Sequence, residues 1–289
     1  MNAIATGSRT IDLGNGLQVT IDERGDMAGS GGRAVLVLHG GAGPRSVASL
    51  AEALAGHAPA PVVTPTHPGF DGTPRVPWLD SAADLADAYL DLLEELGRNE
   101  VMVIGNSIGG WIAAEMALRD IQGRVESLVL LNANGIRPDS ADQVTDVRGL
   151  PPQEIAKLSI HNPAFRPDPA ALSEEQRAAL AANQRTLALY AGSDFMFAPK
   201  LRRRLHRVAV PALVAWGEYD GIVTPGYGRA YAAAFANGHF TLIPDAGHMP
   251  QLEQAGAVLA AIGDFADTVV NAGGARRPGQ GNSVAGDVA

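Results

Sequence analysis

The chain has 289 residues, of which 46% are hydrophobic and 18% charged, a composition expected of an ordinary soluble globular protein. Its formal net charge of −9 argues against nucleic acid or an anionic membrane as the main partner. The chain contains no cysteine, which excludes disulfides, thiolate catalysis and cysteine metal sites.

The first hundred residues alternate short apolar runs with turn residues and helical segments. Residues 10–13 and 17–21 flank Gly14-Asn15-Gly16, a pattern typical of a β-hairpin. The pattern then predicts a strand over 34–38, a helix over 46–55, a strand over 62–64 and a helix ending at Leu96. A capping box of Ser81 and Asp84 opens that last helix. Strand–helix alternation of this kind predicts right-handed crossovers and a parallel sheet.

Residues 101–119 contain the clearest chemical signal in the chain. An apolar strand over 101–104 is followed by Gly-Asn-Ser-Ile-Gly at 105–109 and then by a small-residue helix. This is the nucleophile elbow pattern, in which a strand turns into a helix at a serine and leaves no room for flanking side chains. It predicts Ser107 as a nucleophile and the Ile108 N–H as an oxyanion donor. The alternative is a glycine-rich loop without catalytic function.

The second half of the chain resumes the sheet after a long helical stretch. A strand is predicted over 127–131, but residues 135–209 contain no convincing strand. Within that stretch a capping box of Ser173 and Gln176 opens a helix over 174–190. The pattern afterwards predicts, in chain order, a strand over 212–216, a helix over 227–235, a strand over 240–243 and a helix over 252–270.

These elements divide the chain into four segments. Residues 1–135 and 210–270 form the two parts of an α/β core, and 136–209 form a helical cap over the edge of the sheet. Residues 271–289 are rich in Gly, Arg and Ser without periodicity, and we expect them to be a disordered tail.

A serine nucleophile needs a base, and the base needs an acid that orients it. Sites in open α/β sheets lie at the carboxyl ends of strands, and of the seven histidines His248, after the last strand, fits this rule best. Asp220 follows the preceding strand and gives the chain order Ser, Asp, His. Glu218 is the first rival for the acid, and Asp139 is a more distant one.

The glycine-rich loop at 39–44 follows another strand at the same edge. Such a loop lets main-chain N–H groups approach a ligand, so the Gly41 N–H is the predicted second oxyanion donor. A phosphate-binding loop is the alternative, but no Gly-Lys-Ser/Thr follows. His39 and Asn106 are weaker candidates for substrate binding.

Over residues 10–270 the chain resembles α/β-hydrolase-fold serine hydrolases. The matching positions are 39–41, 105–110, Asp220 and His248. The resemblance implies a mostly parallel eight-stranded sheet flanked by helices, with a helical cap inserted after strand 6. Two segments resemble the meta-cleavage C–C hydrolases in particular, Gly-Asn-Ser-Ile-Gly-Gly at 105–110 and Gly-His-Met-Pro-Gln-Leu-Glu at 247–253. Arg185 is the nearest positional match to their substrate-binding cap arginine, whereas Met249 and Leu252 replace their usual tryptophans.

Three functional hypotheses follow. The first is a carboxylesterase or lactonase that cleaves a small-to-medium ester through an acyl-enzyme. The second is a C–C hydrolase of a vinylogous diketone acid, and the third is a ligand receptor with slow or no turnover. A serine nucleophile separates the chain from the haloalkane dehalogenases and epoxide hydrolases of the same fold, which attack with aspartate.

The expected partner is a small-molecule ester or a related carbonyl compound. We expect no metal, no cofactor, no nucleic acid and no membrane, and a homodimer is compatible with the sequence. The N-terminus lacks a continuous apolar segment of signal-peptide type, and no later run is long enough to cross a bilayer, so a cytoplasmic location is expected.

Overall fold

The computed structural model describes residues 6–26, 30–57, 60–137, 144–168 and 171–274. Within these ranges, eight strands form one sheet. The strands are β1 (Thr6–Asp12), β2 (Gln18–Arg24), β3 (Ala34–Leu38), β4 (Val62–Pro65), β5 (Val101–Asn106), β6 (Val125–Leu131), β7 (Ala212–Gly217) and β8 (Gly238–Ile243).

The sheet runs in the order β1-β2-β4-β3-β5-β6-β7-β8. β2 pairs antiparallel with both β1 and β4, and every other pairing is parallel. The predicted mostly parallel eight-stranded sheet is therefore confirmed. The central strands are continuous apolar runs because helices cover both of their faces.

The helices are α1 (Arg45–His57), α2 (Ala82–Glu95), α3 (Ile108–Arg119), α4 (Pro152–Ser159), α5 (Glu174–Tyr190), α6 (Pro225–Ala234), α7 (Pro250–Glu253) and α8 (Ala255–Gly274). Side chains of α2, α3 and α6 pack on one face of the sheet, and those of α1 and α8 pack on the other. In β3, Leu36 and Leu38 join the first of these cores, while Val35 and Val37 join the second. This alternation is the period of two that a pleated strand imposes.

The predicted helix over 252–270 is wrong in its continuity. The structure has two helices there, α7 and α8, separated by Gln254 with φ −134° and ψ 50°. The Gln254 carbonyl accepts the Val258 N–H at 3.0 Å and so begins the second helix. The apolar periodicity continues across the break, and for that reason the sequence pattern did not indicate it.

Two further predictions concern segments at the margins of the described residues. Residues 271–274 of the expected tail belong to α8, and residues 275–289 lie outside the described part. The rival acid Asp139 also lies outside it. The short helix α4 was not predicted, and Ser159 is its only buried residue.

Residues 132–211 connect β6 to β7 and carry α4 and α5. α5 lies across the loops that follow β3 and β4, at the carboxyl edge of the sheet. Asn183 Nδ2 donates to Asp71 Oδ1 at 2.8 Å, Thr186 Oγ1 donates to the Gly69 carbonyl at 3.0 Å, and the Tyr190 hydroxyl donates to the Pro68 carbonyl at 2.8 Å. No helix among the described residues is both long and apolar enough to cross a membrane.

Candidate active site

Ser107 lies at the corner between β5 and α3 with φ 57° and ψ −121°, a strained conformation for a residue with a side chain. A Cβ on Gly105 would lie 2.2 Å from the Gly109 carbonyl oxygen, and a Cβ on Gly109 would lie 2.4 Å from the Leu38 carbonyl oxygen. Both neighbours are main-chain atoms that cannot move aside. The two glycines of the elbow are therefore required by the close approach of β3, β5 and α3.

The carboxylate of Asp220 is held by four hydrogen-bond donors. His248 Nδ1 lies 2.8 Å from Oδ2, and Asn132 Nδ2 donates to the same oxygen at 2.7 Å. Oδ1 accepts the main-chain N–H groups of Ile222 and Val223 at 2.8 and 3.0 Å. Four donors match the lone pairs of an anionic carboxylate, so this buried group is fully satisfied.

The structure distinguishes Asp220 from Glu218, the other candidate for the acid that orients His248. Glu218 is exposed at the turn after β7, and its main-chain N–H donates to the Ile243 carbonyl at 3.0 Å. The side chain of Asp220 points inward and meets His248 instead. Since His248 Nδ1 faces a carboxylate, it carries the proton, and the other ring nitrogen, Nε2, is left as an acceptor.

Hydrogen bonds to the main chain of His248 hold its loop close to the nucleophile. Asn106, the neighbour of Ser107 in the chain, donates from Nδ2 to the His248 carbonyl at 3.1 Å. The His248 N–H donates to the Ser159 carbonyl at 2.7 Å, at the end of α4. Asn106 is 2% exposed, and it links the elbow to the loop of the predicted base.

The Ser107 hydroxyl oxygen accepts a hydrogen bond from Asn134 Nδ2 at 3.2 Å. Among the described residues, Ser107 and His248 are not joined by a hydrogen bond. Catalytic hydrogen bonds are often long in structures without substrate and shorten when it binds. Proton transfer from Ser107 to His248 therefore requires this hydrogen bond to form when substrate binds.

Two main-chain N–H groups near Ser107 are available as donors. Ile108 is the first residue of α3, where an N–H has no acceptor within the helix. The Gly41 N–H donates to no acceptor among the described residues. The Gly40 carbonyl accepts from His39 Nδ1 at 2.7 Å and from the Gly43 N–H at 3.1 Å. Because a trans peptide directs its C=O and N–H in opposite directions, these bonds fix the orientation of the Gly41 N–H.

His39 holds this loop through a second buried histidine. His39 Nε2 accepts the His67 N–H at 3.0 Å, and His67 Nε2 donates to the His39 carbonyl at 2.8 Å. The remaining nitrogen of His67 lies 2.5 Å from the Tyr89 hydroxyl. Burial lowers the pKa of His39 to about 4 and that of His67 well below its ordinary value. Both rings are thus neutral, and both nitrogens of His39 bond to protein groups, so its ring supports the loop.

Helix α5 places Leu187 over the glycine loop. A Cβ on Gly41 would lie 2.4 Å from Leu187 Cδ2. Asn183, Leu187 and Tyr190 form the buried side of this helix, whereas Arg185 is exposed on the opposite side. The structure therefore does not bring Arg185 to Ser107.

Three buried residues near the site were not singled out as functional from the sequence: Asn132, Asn134 and Glu253. Glu253 Oε2 accepts the Gly247 N–H and Oε1 accepts the Asn162 N–H, both at 2.7 Å, and so anchors the loop before His248. The available signal was positional, because the two asparagines follow β6 at the carboxyl edge. No group of three His, Cys, Asp or Glu side chains in the described ranges could hold a metal ion.

Comparison with known proteins adds a family and several relatives. The profile of a family described as "Alpha/beta hydrolase family" matches residues 35–262. A 2-hydroxy-6-oxononadienedioate/2-hydroxy-6-oxononatrienedioate hydrolase of Pseudomonas putida is 28% identical over 258 residues, covering 82% of this chain and 88% of that protein. The epoxide hydrolase EphH of Mycobacterium tuberculosis is 26% identical, covering 64% and 94%. The structure of a thermophilic esterase from Thermogutta terrifontis superposes with a TM-score of 0.69 at 25% identity, covering 91% and 99%.

Proposed function

This chain belongs to the alpha/beta hydrolase family and is a hydrolase, and from that premise we propose that it is a serine hydrolase that cleaves a small-to-medium carboxylic ester or lactone. The family match confirms the resemblance and the α/β-hydrolase fold expected from the sequence. The nucleophile is Ser107, the base is His248 and the orienting acid is Asp220. The Gly41 and Ile108 N–H groups bind the oxyanion.

The observation that carries this proposal is the strained serine at the elbow beside a bonded Asp220–His248 pair. The strain of Ser107 is tolerated because three adjoining elements pack too closely for any other geometry. A residue held in a rare conformation next to a histidine–carboxylate pair is typical of a nucleophile. An aspartate nucleophile, as in related epoxide hydrolases, has no counterpart at this position.

The reaction proceeds in two stages. His248 takes the proton of Ser107 while Oγ bonds to the ester carbon, and the carbonyl oxygen becomes an oxyanion held by the two N–H groups. Each such donor is typically worth about 3 kcal/mol of the barrier. The leaving alcohol takes the proton from His248, and water then hydrolyses the acyl-enzyme. Asp220 stabilises the imidazolium formed in each stage.

The segment 136–209 serves as a cap in this proposal. Its helix α5 is tied to the loops after β3 and β4, and Leu187 packs against Gly41. A leucine so close to the predicted oxyanion donor leaves limited room above it.

A fluorophosphonate probe, which reacts with activated serines, tests the nucleophile. We expect stoichiometric labelling of the wild-type protein and its loss in Ser107→Ala. Ser8→Ala, at an exposed serine of β1, is the matched control and should label fully. Stoichiometric labelling of Ser107→Ala would overturn the proposal.

A C–C hydrolase is the second candidate, and it is favoured by the 28% identical relative named for 2-hydroxy-6-oxo dienedioates. A carboxylate substrate needs a cation in a partly desolvated pocket. Arg185, exposed on the far side of α5, is poorly placed to provide one. Because of this placement we expect short-chain aryl esters to react faster than a 2-hydroxy-6-oxo-dienoic acid.

Both substrates should therefore be measured with wild type and Arg185→Ala. The ester kcat/KM should change by no more than a few-fold in the variant. A preference of the wild type for the dienoic acid, with a loss of about 100-fold in Arg185→Ala, would replace the esterase by the C–C hydrolase.

A further inference from the structure

Asn134, the third residue after β6, lies directly against the proposed nucleophile. Its main-chain N–H donates to the Ser107 carbonyl at 3.2 Å, and its side-chain Nδ2 donates to Ser107 Oγ at 3.2 Å. The residue is fully buried. Two hydrogen bonds to the same serine fix the plane of this amide beside the oxygen that reacts.

The side-chain oxygen of Asn134 is buried and has no hydrogen-bond partner among the described residues. Buried polar atoms are almost always paired, so an unpaired one requires an explanation. Turning the amide over would leave Nδ2 unpaired instead. Moreover, the single hydroxyl proton of Ser107 must go to His248, so Oγ can only accept from Asn134. Nδ2 therefore faces Ser107, and Oδ1 is the amide atom left without a partner.

We propose that Asn134 is a further catalytic residue, whose Oδ1 binds the water that hydrolyses the acyl-enzyme. This proposal rests on the acyl-enzyme mechanism proposed above. Water has two O–H groups: His248 takes the proton of one, and Oδ1 accepts a hydrogen bond from the other. Oδ1 and Nδ2 belong to one small amide whose Nδ2 lies 3.2 Å from Ser107 Oγ, so the proposed water is bound by the same side chain that contacts the acylated oxygen.

The step balances without any further reactant. The water oxygen bonds to the acyl carbon as His248 takes the proton, and the bond between that carbon and Ser107 Oγ then breaks. Oγ recovers the proton from His248, and the carboxylic acid leaves. As Oγ departs it gains negative charge, which the hydrogen bond from Asn134 Nδ2 stabilises. Both polar atoms of the amide thus act in deacylation.

The proposal predicts a preference between two nucleophiles. An alcohol that attacks the same acyl-enzyme has only one O–H group, which it gives to His248. It gains nothing from the second acceptor, so Oδ1 favours water over alcohol. Loss of one such hydrogen bond, about 1 kcal/mol, corresponds to roughly a fivefold change in the product ratio.

The experiment is the hydrolysis of p-nitrophenyl acetate in the presence of methanol. The ratio of methyl acetate to acetate is measured for wild type, Asn134→Ala and Asn134→Asp. We expect Asn134→Ala to raise this ratio about fivefold. Asn134→Asp keeps an acceptor and loses the donor, so it should lower kcat but keep the ratio within about twofold of wild type.

The matched control is Asn183→Ala, the same change at a buried asparagine that contacts Asp71 rather than Ser107. Its ratio should equal that of wild type. Both products arise from one acyl-enzyme, so a defect in folding or acylation changes turnover and leaves the ratio alone. Asn134→Asp has nearly the volume of asparagine and controls for the space that the alanine opens beside Ser107. An unchanged ratio in Asn134→Ala, or an equal rise in Asn134→Asp, would overturn the role of Asn134 and leave the serine hydrolase intact. A wild type that releases no nitrophenol and takes no fluorophosphonate would overturn the proposed function itself.

Discussion

Acidification should destabilise this protein through two buried histidines, and His39 allows the effect to be calculated. His39 and His67 are fully buried, with their ring centroids 3.7 Å apart, and both hold the loop of Gly41. Burial lowers the pKa of His39 from 6.5 to about 4. Above pH 6.5 the imidazole is neutral in both the folded and the unfolded state, so pH has no effect through it.

Below pH 6.5 the unfolded chain binds a proton at His39, whereas the folded protein does not until the pH approaches 4. Stability is therefore lost as the pH falls through this interval. For a pKa of 6.5 unfolded and about 4 folded, the loss between pH 7 and pH 5 is about 2 kcal/mol. His67 adds a further loss of the same sign, because burial and the neighbouring His39 also lower its pKa.

The measurement is urea unfolding at pH 7 and pH 5, followed by tryptophan fluorescence, for wild type and His39→Gln. The variant loses buried hydrogen bonds and should be less stable at pH 7 by about 1–3 kcal/mol. Its further loss on going to pH 5 should be smaller than that of wild type by about 2 kcal/mol, because the titrating ring is gone. His206→Gln, at an exposed histidine, should keep the wild-type loss.

Equal losses in wild type and His39→Gln would refute this reasoning, since other groups would then cause the acid sensitivity. If His39→Gln does not fold, His67→Gln provides the same comparison. It too should lose less stability on acidification than wild type, because His67 is equally buried and its pKa is also lowered.

Three further predictions follow from the geometry of the site. Asp220→Asn should lower kcat by about 10⁴, because the base loses the partner that sets its tautomer. Glu218→Gln changes an exposed side chain and should lower kcat by no more than a few-fold. Steady-state kinetics that show the reverse would assign the acid to Glu218. Glu253→Gln should reduce the free energy of unfolding by about 2 kcal/mol. The two carboxylate oxygens of Glu253 each accept a main-chain N–H, whereas a glutamine amide has only one oxygen that can accept. Urea unfolding identical to that of wild type would contradict this. Gly105→Ala should fold poorly, or its free energy of unfolding should fall by about 3 kcal/mol or more, because the new Cβ would lie 2.2 Å from the Gly109 carbonyl oxygen. A variant as stable as wild type in urea unfolding would show that the elbow can relax.

Much of the fold could be predicted because its signals are local. The apolar strands, the capping boxes at Ser81 and Ser173 and the glycines around Ser107 each act within a few residues, and the structure shows both caps formed as predicted. The break between α7 and α8 was missed because the same apolar pattern serves one long helix or two short ones. Its cause is the conformation of Gln254, which no periodicity encodes.

In the candidate site, too, some features follow from local sequence and others depend on contacts between distant segments. The sequence by itself determined that Ser107, Asp220 and His248 follow strands of a parallel sheet, since the carboxyl ends of such strands share one edge. It also determined the sterics of the elbow, which depend on glycines two positions from the serine. The catalytic roles of these residues remain predictions for the experiments above.

Only the tertiary structure decided which polar side chains meet at that edge. Asn132 and Asp220 are 88 positions apart, yet their side chains form a buried hydrogen bond. Glu253 likewise accepts the main-chain N–H of Asn162, 91 positions away, in a partly buried hydrogen bond. His39 and His67 likewise meet because β3 and β4 are neighbours in the sheet. Such contacts depend on strand order, register and side-chain packing between distant segments, and no local pattern carries that information. For the same reason Arg185 matched a cap position in sequence but faces away from the site, because the rotation of α5 is set by what Asn183 and Leu187 bury.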